Sequence, residues 1–237
     1  MKLIIRYIII LLFLLGGLSA SAQRRKKPQN LIRYDYKKLH FGFTLGINSL
    51  NFNIQKNSST ITNDTLLTLL PNSQKGFNLG IVSNLRIGKY TDLRFIPTLV
   101  FGERHLHYGF IDSNGVSDER IKRIESTLID FPIYIKYKSA RYNNFRTYVL
   151  GGLKYSLDIA SQDKINDEGQ EIVKLKKNDL MGEIGFGVDF YLEYFKFSPQ
   201  IKLSYGILNL LSKDKTVYTQ SINRLSTNGW MISFTFE

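Results

Sequence analysis

The sequence predicts an all-β fold, an eight-stranded antiparallel up-and-down barrel of the type that crosses a bacterial outer membrane. Three features of its 237 residues carry that prediction. Apolar and polar side chains alternate with period two in eight successive runs. Long and short connections between the runs also alternate, and aromatic residues gather at the run ends. Side chains at i and i+2 of a strand share a face, so period two marks a strand with two unlike faces. Eight is an even number, as bacterial single-chain barrels require.

The first residues are set aside from the fold. Met1, Lys2 and Arg6 make a positive start, Ile8 to Leu15 are apolar, and Ala20-Ser21-Ala22 offers an A-x-A cleavage site before Gln23. The apolar run is shorter than the roughly 20 residues that span a bilayer, so residues 1–22 read as a signal peptide. No Cys follows it, which excludes lipoprotein processing. Residues 23–39 read as a basic periplasmic arm and 40–237 as the barrel.

Phe41, Phe43, Leu45 and Ile47 oppose Gly42, Thr44, Gly46 and Asn48; Phe77, Leu79, Ile81, Leu85 and Ile87 oppose Asn78, Gly80, Asn84 and Arg86. The third run sets Leu93, Phe95, Leu99 and Phe101 against Arg94, Thr98, Gly102 and Arg104. The fourth sets Ile129, Phe131, Ile133, Ile135 and Tyr137 against Asp130, Tyr134, Lys136 and Lys138. Val149, Leu153, Tyr155 and Leu157 then oppose Arg146, Gly152, Lys154, Ser156 and Asp158. Leu180, Ile184, Phe186, Val188 and Phe190 oppose Glu183, Gly185, Gly187 and Asp189. The seventh run pits Phe195, Phe197, Ile201, Leu203 and Tyr205 against Lys196, Ser198, Gln200, Lys202 and Ser204. The eighth pits Trp230, Ile232, Phe234 and Phe236 against Ser233, Thr235 and Glu237. Pro97, Pro132 and Pro199 fall inside runs, where local bulges are expected.

Glycines and charges of both signs on the polar face suit the crowded interior of a narrow barrel, which leaves the apolar face for lipid. The connections at 49–75, 105–125, 159–178 and 207–228 are long and polar, and those at 88–92, 139–144 and 191–194 are short. This is the pattern of long extracellular loops and short periplasmic turns, with both termini periplasmic. Phe41, Tyr90, Tyr137, Tyr142, Phe145, Tyr191, Tyr194 and Phe195 are expected as one aromatic girdle. Tyr108, Tyr155, Tyr205 and Trp230 are expected as the other.

With no cysteine, disulfides and thiolate metal sites are excluded. The formal charge is +12, and +10 once Lys2 and Arg6 leave with the signal peptide. More than half of the excess, a net +6, lies between Gln23 and Leu39. For an exported chain, anionic lipid head groups, lipopolysaccharide or an acidic partner fit this charge better than nucleic acid.

Eight strands enclose room only for side chains. Arg86, Arg94, Arg104, Lys136, Arg146, Lys154, Lys196 and Lys202, with Asp130, Asp158, Glu183, Asp189 and Glu237, are therefore expected as a salt-bridged, hydrated plug and not a gated conduit. His105 and His107 form an H-x-H pair, but no third metal ligand is evident. Glu103, His105, Asp112 and Ser113 permit a lipid A-modifying chemistry without arguing for it, and surface histidines are expected. No phosphate loop, nucleophilic triad or paired carboxylates stand out. No catalytic, cofactor-binding or metal residue, no cofactor and no small-molecule substrate is expected, and the chain is not expected to be an enzyme.

The run from Tyr34 to Asn48, Tyr-Asp-Tyr-Lys-Lys-Leu-His-Phe-Gly-Phe-Thr-Leu-Gly-Ile-Asn, resembles the start of the barrel in PorT-type proteins (also called SprT) of Bacteroidota. Residues 128–137, 148–152 and 182–190 also match, in patterns shared by many small barrels of that phylum. The resemblance implies a part in type IX secretion, which exports proteins bearing a C-terminal sorting domain and, in gliding species, motility adhesins. In that setting Arg24, Arg25, Lys26, Lys27, Tyr34, Asp35, Lys37 and His40 are the candidate partner-binding arm. A general structural or adhesive barrel is the alternative, and a lipid A-modifying enzyme a distant third.

Overall fold

The computed structural model of the protein describes residues 28–56, 66–111, 117–160, 175–211 and 222–237. The expected signal peptide, Arg24, Arg25, Lys26 and Lys27 lie outside these residues, as do Asp112 and Ser113. Within them, nine strand segments follow a short 3-10 turn at Tyr34–Tyr36. They are β1 (Leu39–Lys56), β2 (Leu66–Arg86), β3 (Thr91–Phe95), β4 (Thr98–Ile111), β5 (Ser117–Lys138), β6 (Phe145–Asp158), β7 (Asn178–Tyr191), β8 (Lys196–Gly206) and β9 (Ile222–Phe236).

All neighbours are antiparallel, and β1 pairs with both β2 and β9, so the sheet closes on itself. β3 and β4 occupy one place in the wall. Both pair with β2 and β5, and the register on β5 runs unbroken from Phe95↔Ile133 to Thr98↔Asp130. Eight strands thus close the ring.

The bulges expected at the prolines are absent. Pro97, with Ile96, interrupts the strand outright, while Pro132 and Pro199 stand in register opposite Lys154 and Phe234. A strand residue directs its N–H and C=O toward the same neighbour. The Pro132 carbonyl accepts from the Ile96 N–H at 3.4 Å, so its missing donor faces the interruption and costs no ladder bond. Among the described pairs, the register shifts lie at Gln55/Lys56, Leu66/Thr68 and Ser73/Phe77.

The ring is built inside out. Arg94 and Lys136 are 0% exposed, while Ile81 and Ile184 are 65% exposed. Buried charges and exposed aliphatics reverse the distribution of a water-soluble domain. An apolar belt of this extent is stable in lipid, where only alternate residues of each strand meet the hydrocarbon.

Three predicted connections are shorter than expected. Those placed at 49–75 and 105–125 are largely strand, since β1 runs to Lys56, β2 starts at Leu66, β4 runs to Ile111 and β5 starts at Ser117, and the one placed at 207–228 ends early, since β9 starts at Ile222. The cause is a reversal of phase. Phe43, Leu45 and Ile47 of β1 face outward, but Leu50 and Phe52 face inward. A search for one continuous apolar face loses the strand where the apolar residues change sides.

Beyond Leu50↔Gln74, β1 pairs with β9 alone and β2 with β4 alone among the described residues. The wall there divides into a β9–β1 leaf and a β2–β4–β5 leaf. Phe52, Leu69, Leu106, Tyr108, Leu175, Leu210, Ile222 and Leu225 fill the space between them as one apolar cluster. Tyr108 and Tyr191, both expected in the girdles, are corrected by this geometry: Tyr108 lies inside the apolar cluster, and Tyr191 points into the opposite mouth. Phe41, Tyr90, Tyr137, Tyr142, Phe145, Tyr194 and Phe195 are exposed at the short-turn end. Tyr155, Tyr205 and Trp230 are exposed toward the loop end.

Candidate functional site: the filled lumen and the segment docked in its mouth

The interior is polar because strand parity sends one side chain in two inward, and it is stable because those side chains pair. Burying a lone charge costs several kcal/mol, whereas a paired and hydrogen-bonded one is tolerated. From the turn end upward, Lys138 Nζ lies 2.6 Å from Asp92 Oδ1, and Asn84 donates to Asp92 at 3.0 Å. Arg94 donates to Asn84 through Nε at 3.1 Å and pairs with Glu237, which also takes Lys196 at 2.7 Å.

The next layer is Lys136, bound to both oxygens of Asp189 at 2.9 and 2.8 Å, with Ser198 donating to the same carboxylate at 2.6 Å. Lys136 also sits 3.6 Å from the centre of the Tyr148 ring, and Tyr148 donates to Gln200 at 3.0 Å. Higher still, Lys154 bridges Glu183 at 2.9 Å and Asp130 at 3.2 Å. Ser204 and Tyr134 donate to Glu183, Ser156 donates to Asp130 at 2.6 Å, and Lys202 reaches the Tyr134 hydroxyl at 3.3 Å.

Glycine makes room for this filling at one point in particular. A Cβ on Gly187 would run into the Tyr148 ring and its hydroxyl, so only glycine leaves that ring its place beside the wall. At the loop end Arg104 donates to Ser126 at 2.5 Å and Thr227 at 3.3 Å, and its guanidinium lies 4.2 Å from the centre of the Phe52 ring. Asp158 and Asp179 are buried at the same level. Phe52 belongs to the apolar cluster, so Arg104 is the junction between the charged interior and its apolar cover.

The turn-end mouth is crossed by residues 28–38. Asn30 donates through its backbone to Asn144 at 2.9 Å and through its side chain to the Tyr191 carbonyl at 3.1 Å. Tyr34 stacks on His40 with ring centres 3.9 Å apart and donates to Glu237 at 2.7 Å. Burial first, and then the charge of Glu237, push the Tyr34 phenol above its ordinary range and keep it a donor. Asp35 meets Arg141 and Arg146 at 3.2 Å each and accepts from the Tyr191 hydroxyl at 3.1 Å. Arg86 donates to the Asp35 carbonyl.

Of the expected lumen charges, Arg94, Arg104, Asp130, Lys136, Lys154, Asp158, Glu183, Asp189, Lys196 and Lys202 are buried inside the ring. Arg86 and Arg146 stand instead at the mouth, beside Asp35. Of the arm residues, Lys37 is exposed, while Tyr34, Asp35 and His40 make the contacts just described. Asp92, Arg141, Tyr148 and Asp179 also line the interior and its mouth, beyond the expected set. Parity offered Asp92, which shares a face with Arg94; nothing in a single sequence brings Arg141 to Asp35.

His105 Nε2 lies 2.6 Å from Glu103 Oε1, on the outer side of the β2–β4–β5 leaf, with the His107 ring centre 6.4 Å from that of His105. No group of three or more potential metal-ligating side chains occurs among the described residues.

The family described as Outer membrane protein beta-barrel domain matches residues 21–212. Among solved structures, the chain is similar to the outer membrane protein OprG of Pseudomonas aeruginosa, with 14% identity over 84% of this chain and 94% of that one and a TM-score of 0.44. Neisserial surface protein A (NspA) gives 12% identity, 84% and 98% coverage and a TM-score of 0.42. The N-terminal barrel domain of Pseudomonas aeruginosa OprF gives 14%, 81% and 97%, and 0.34. No curated protein matches the sequence.

Proposed function

The chain belongs to the outer membrane protein β-barrel domain family, and from that premise we propose that it is a non-enzymatic component of type IX secretion, working by protein–protein contact. In this reading the short turns and both termini face the periplasm and the four long connections face outward. The partners are other secretion components, with outer-membrane lipid and lipopolysaccharide around the belt. The observation that carries the reading is the occupied interior. Ion-paired side chains occupy the ring from Asp92 to Lys154, Arg104 is hydrogen-bonded above them, residues 28–38 cross one mouth, and the apolar cluster covers the other. A barrel filled in this way acts through its surfaces, and the basic run Arg24 to Lys27 leads directly into the docked segment.

The test is a clean deletion with complementation, following sorting-domain proteins in the culture fluid and periplasm. The proposal expects those cargoes to accumulate in the periplasm and complementation to release them; normal secretion would overturn it. Replacing Arg24, Arg25, Lys26 and Lys27 with Ala is expected to impair secretion while leaving insertion intact.

A structural or adhesive role is the second reading. It is favoured by the β9–β1 and β2–β4–β5 leaves, which carry strand well past the point where β1 and β2 part. It predicts surface binding that depends on those leaves and no secretion defect.

A further inference from the structure

The single carboxylate of Asp35 faces two guanidiniums, and Arg141 also holds the Asn30 and Asn143 carbonyls and the Asn144 side chain. Arg141 and Arg146 each offer it a single nitrogen at 3.2 Å, longer than the 2.7–2.9 Å typical of charge-assisted bonds and without the paired geometry that guanidinium favours. Arg86 reaches only its carbonyl. Arg146 is 8% exposed, yet its Nε has no hydrogen-bond partner. Leaving a buried charged donor unmet is costly, so an orphan of this kind marks spare binding capacity. Arg141 also lies 3.7 Å from the centre of the Tyr191 ring, whose hydroxyl donates to Asp35.

We propose that Arg86, Arg141, Arg146 and Tyr191 form a carboxylate-binding site in the turn-end mouth, occupied in the free protein by its own Asp35 and open to an acidic polypeptide segment when Asp35 withdraws. The site does not depend on the export role. Its donors come from β2, the β5–β6 turn, β6 and β7, and β2 and β7 lie on opposite sides of the eight-stranded ring. The ligand is therefore held over the lumen axis, away from the lipid belt, which favours an extended acidic peptide over a lipid head group.

Asp35 is suited to leave. The Tyr34–Tyr36 turn buries no residue fully; beside the arginine contacts of Asp35, the stack of Tyr34 on His40 and the bonds to Glu237 and from the Tyr191 hydroxyl make up its hold on the barrel. Leu31 just before it has φ 51°, a left-handed conformation that leucine seldom adopts. Ile32 and Tyr36 project outward, unused by the barrel.

The test uses the full-length protein folded in zwitterionic detergent, with triglutamate peptide as the probe in isothermal titration calorimetry. Asp35→Asn removes the tethered competitor and is expected to tighten triglutamate binding about ten-fold or more, since a tethered group competes at high effective concentration. Adding Arg146→Gln to that variant is expected to abolish the gain, and triglutamine is expected not to bind. The basic tail is the same in every protein compared, so it cancels.

Each variant is checked for the gel-mobility shift of a folded barrel. As a readout that needs no variant, triglutamate is expected to speed tryptic cleavage of the wild-type chain at Arg33 and Lys37. Equal affinity in wild type and Asp35→Asn, or retained affinity after Arg146→Gln, would overturn the site. Tighter binding of inorganic phosphate than of triglutamate by Asp35→Asn would overturn the carboxylate assignment.

Discussion

The two halves of the interior solve the same problem by opposite means. Toward the turns ion pairs such as Lys136–Asp189 and Lys154–Glu183 line the ring, with a small apolar cluster of Val82, Ile96, Tyr134, Tyr148 and Leu150 among them. Past Arg104 it is filled with Phe52, Leu106, Tyr108 and Leu225. The difference follows from what lies outside the wall. Where lipid surrounds the strands, the outward residues must be apolar, and the period of two leaves the inward positions to polar groups. Past the apolar belt the outer face carries Glu103, His105 and Arg123, and the inward positions are free to be apolar. The β-strand is the same in both halves, and the solvent decides which parity is which.

The largest test of this contrast is to remove one member of a lumen pair. Lys136→Ala leaves Asp189 buried with Ser198 as its remaining donor side chain among the contacts described, and is expected to cost about 3–5 kcal/mol. Guanidinium unfolding followed through Trp230, the single tryptophan, reads the loss. Replacing both partners by apolar residues is expected to restore most of the stability. Truncating the other half comes next: Leu106→Ala is expected to cost about 2–5 kcal/mol. It should do so locally, with faster amide exchange in 51–56 and 222–227 and little change in β6 to β8.

A smaller effect is expected from Gly187→Val, which drives a side chain into the space of the Tyr148 ring and costs about 1–3 kcal/mol by overpacking. The smallest concerns the mouth. Tyr34→Phe deletes the bond to Glu237 and is expected to loosen residues 28–38 by about 1–2 kcal/mol, seen as faster tryptic cleavage at Arg33 and Lys37 with the barrel intact. The pH dependence has a definite sign. Docking raises the Tyr34 pKa, so the docked state binds a proton that the free segment releases above about pH 10. Docking is thus full below that pH and weakens above it, and Tyr34→Phe should flatten the profile.

Most of the lipid-facing ring was legible because period two is imposed residue by residue. Where it was not legible, one cause recurs. The apolar residues of β1 change parity between Ile47 and Leu50, and the irregularity at Ser73/Phe77 shifts β2, so the upper strands read as polar loops. Tyr108 and Tyr191 read as girdle residues because an aromatic at a strand end looks alike whichever way it points. The mouth was least legible. Asp35 meets Arg141, Arg146 and Tyr191 more than 100 residues along the chain, and two of these three sit at a turn or a strand end, where alternation says nothing.

A filled barrel that works through its surfaces carries no current. Purified full-length protein in a planar lipid bilayer is expected to insert without current steps above the bare membrane, and equally without them after Tyr34→Phe, since the ion-paired layers from Asp92 to Lys154 remain in place. Steady, reproducible current steps from the wild-type protein would contradict the filled interior.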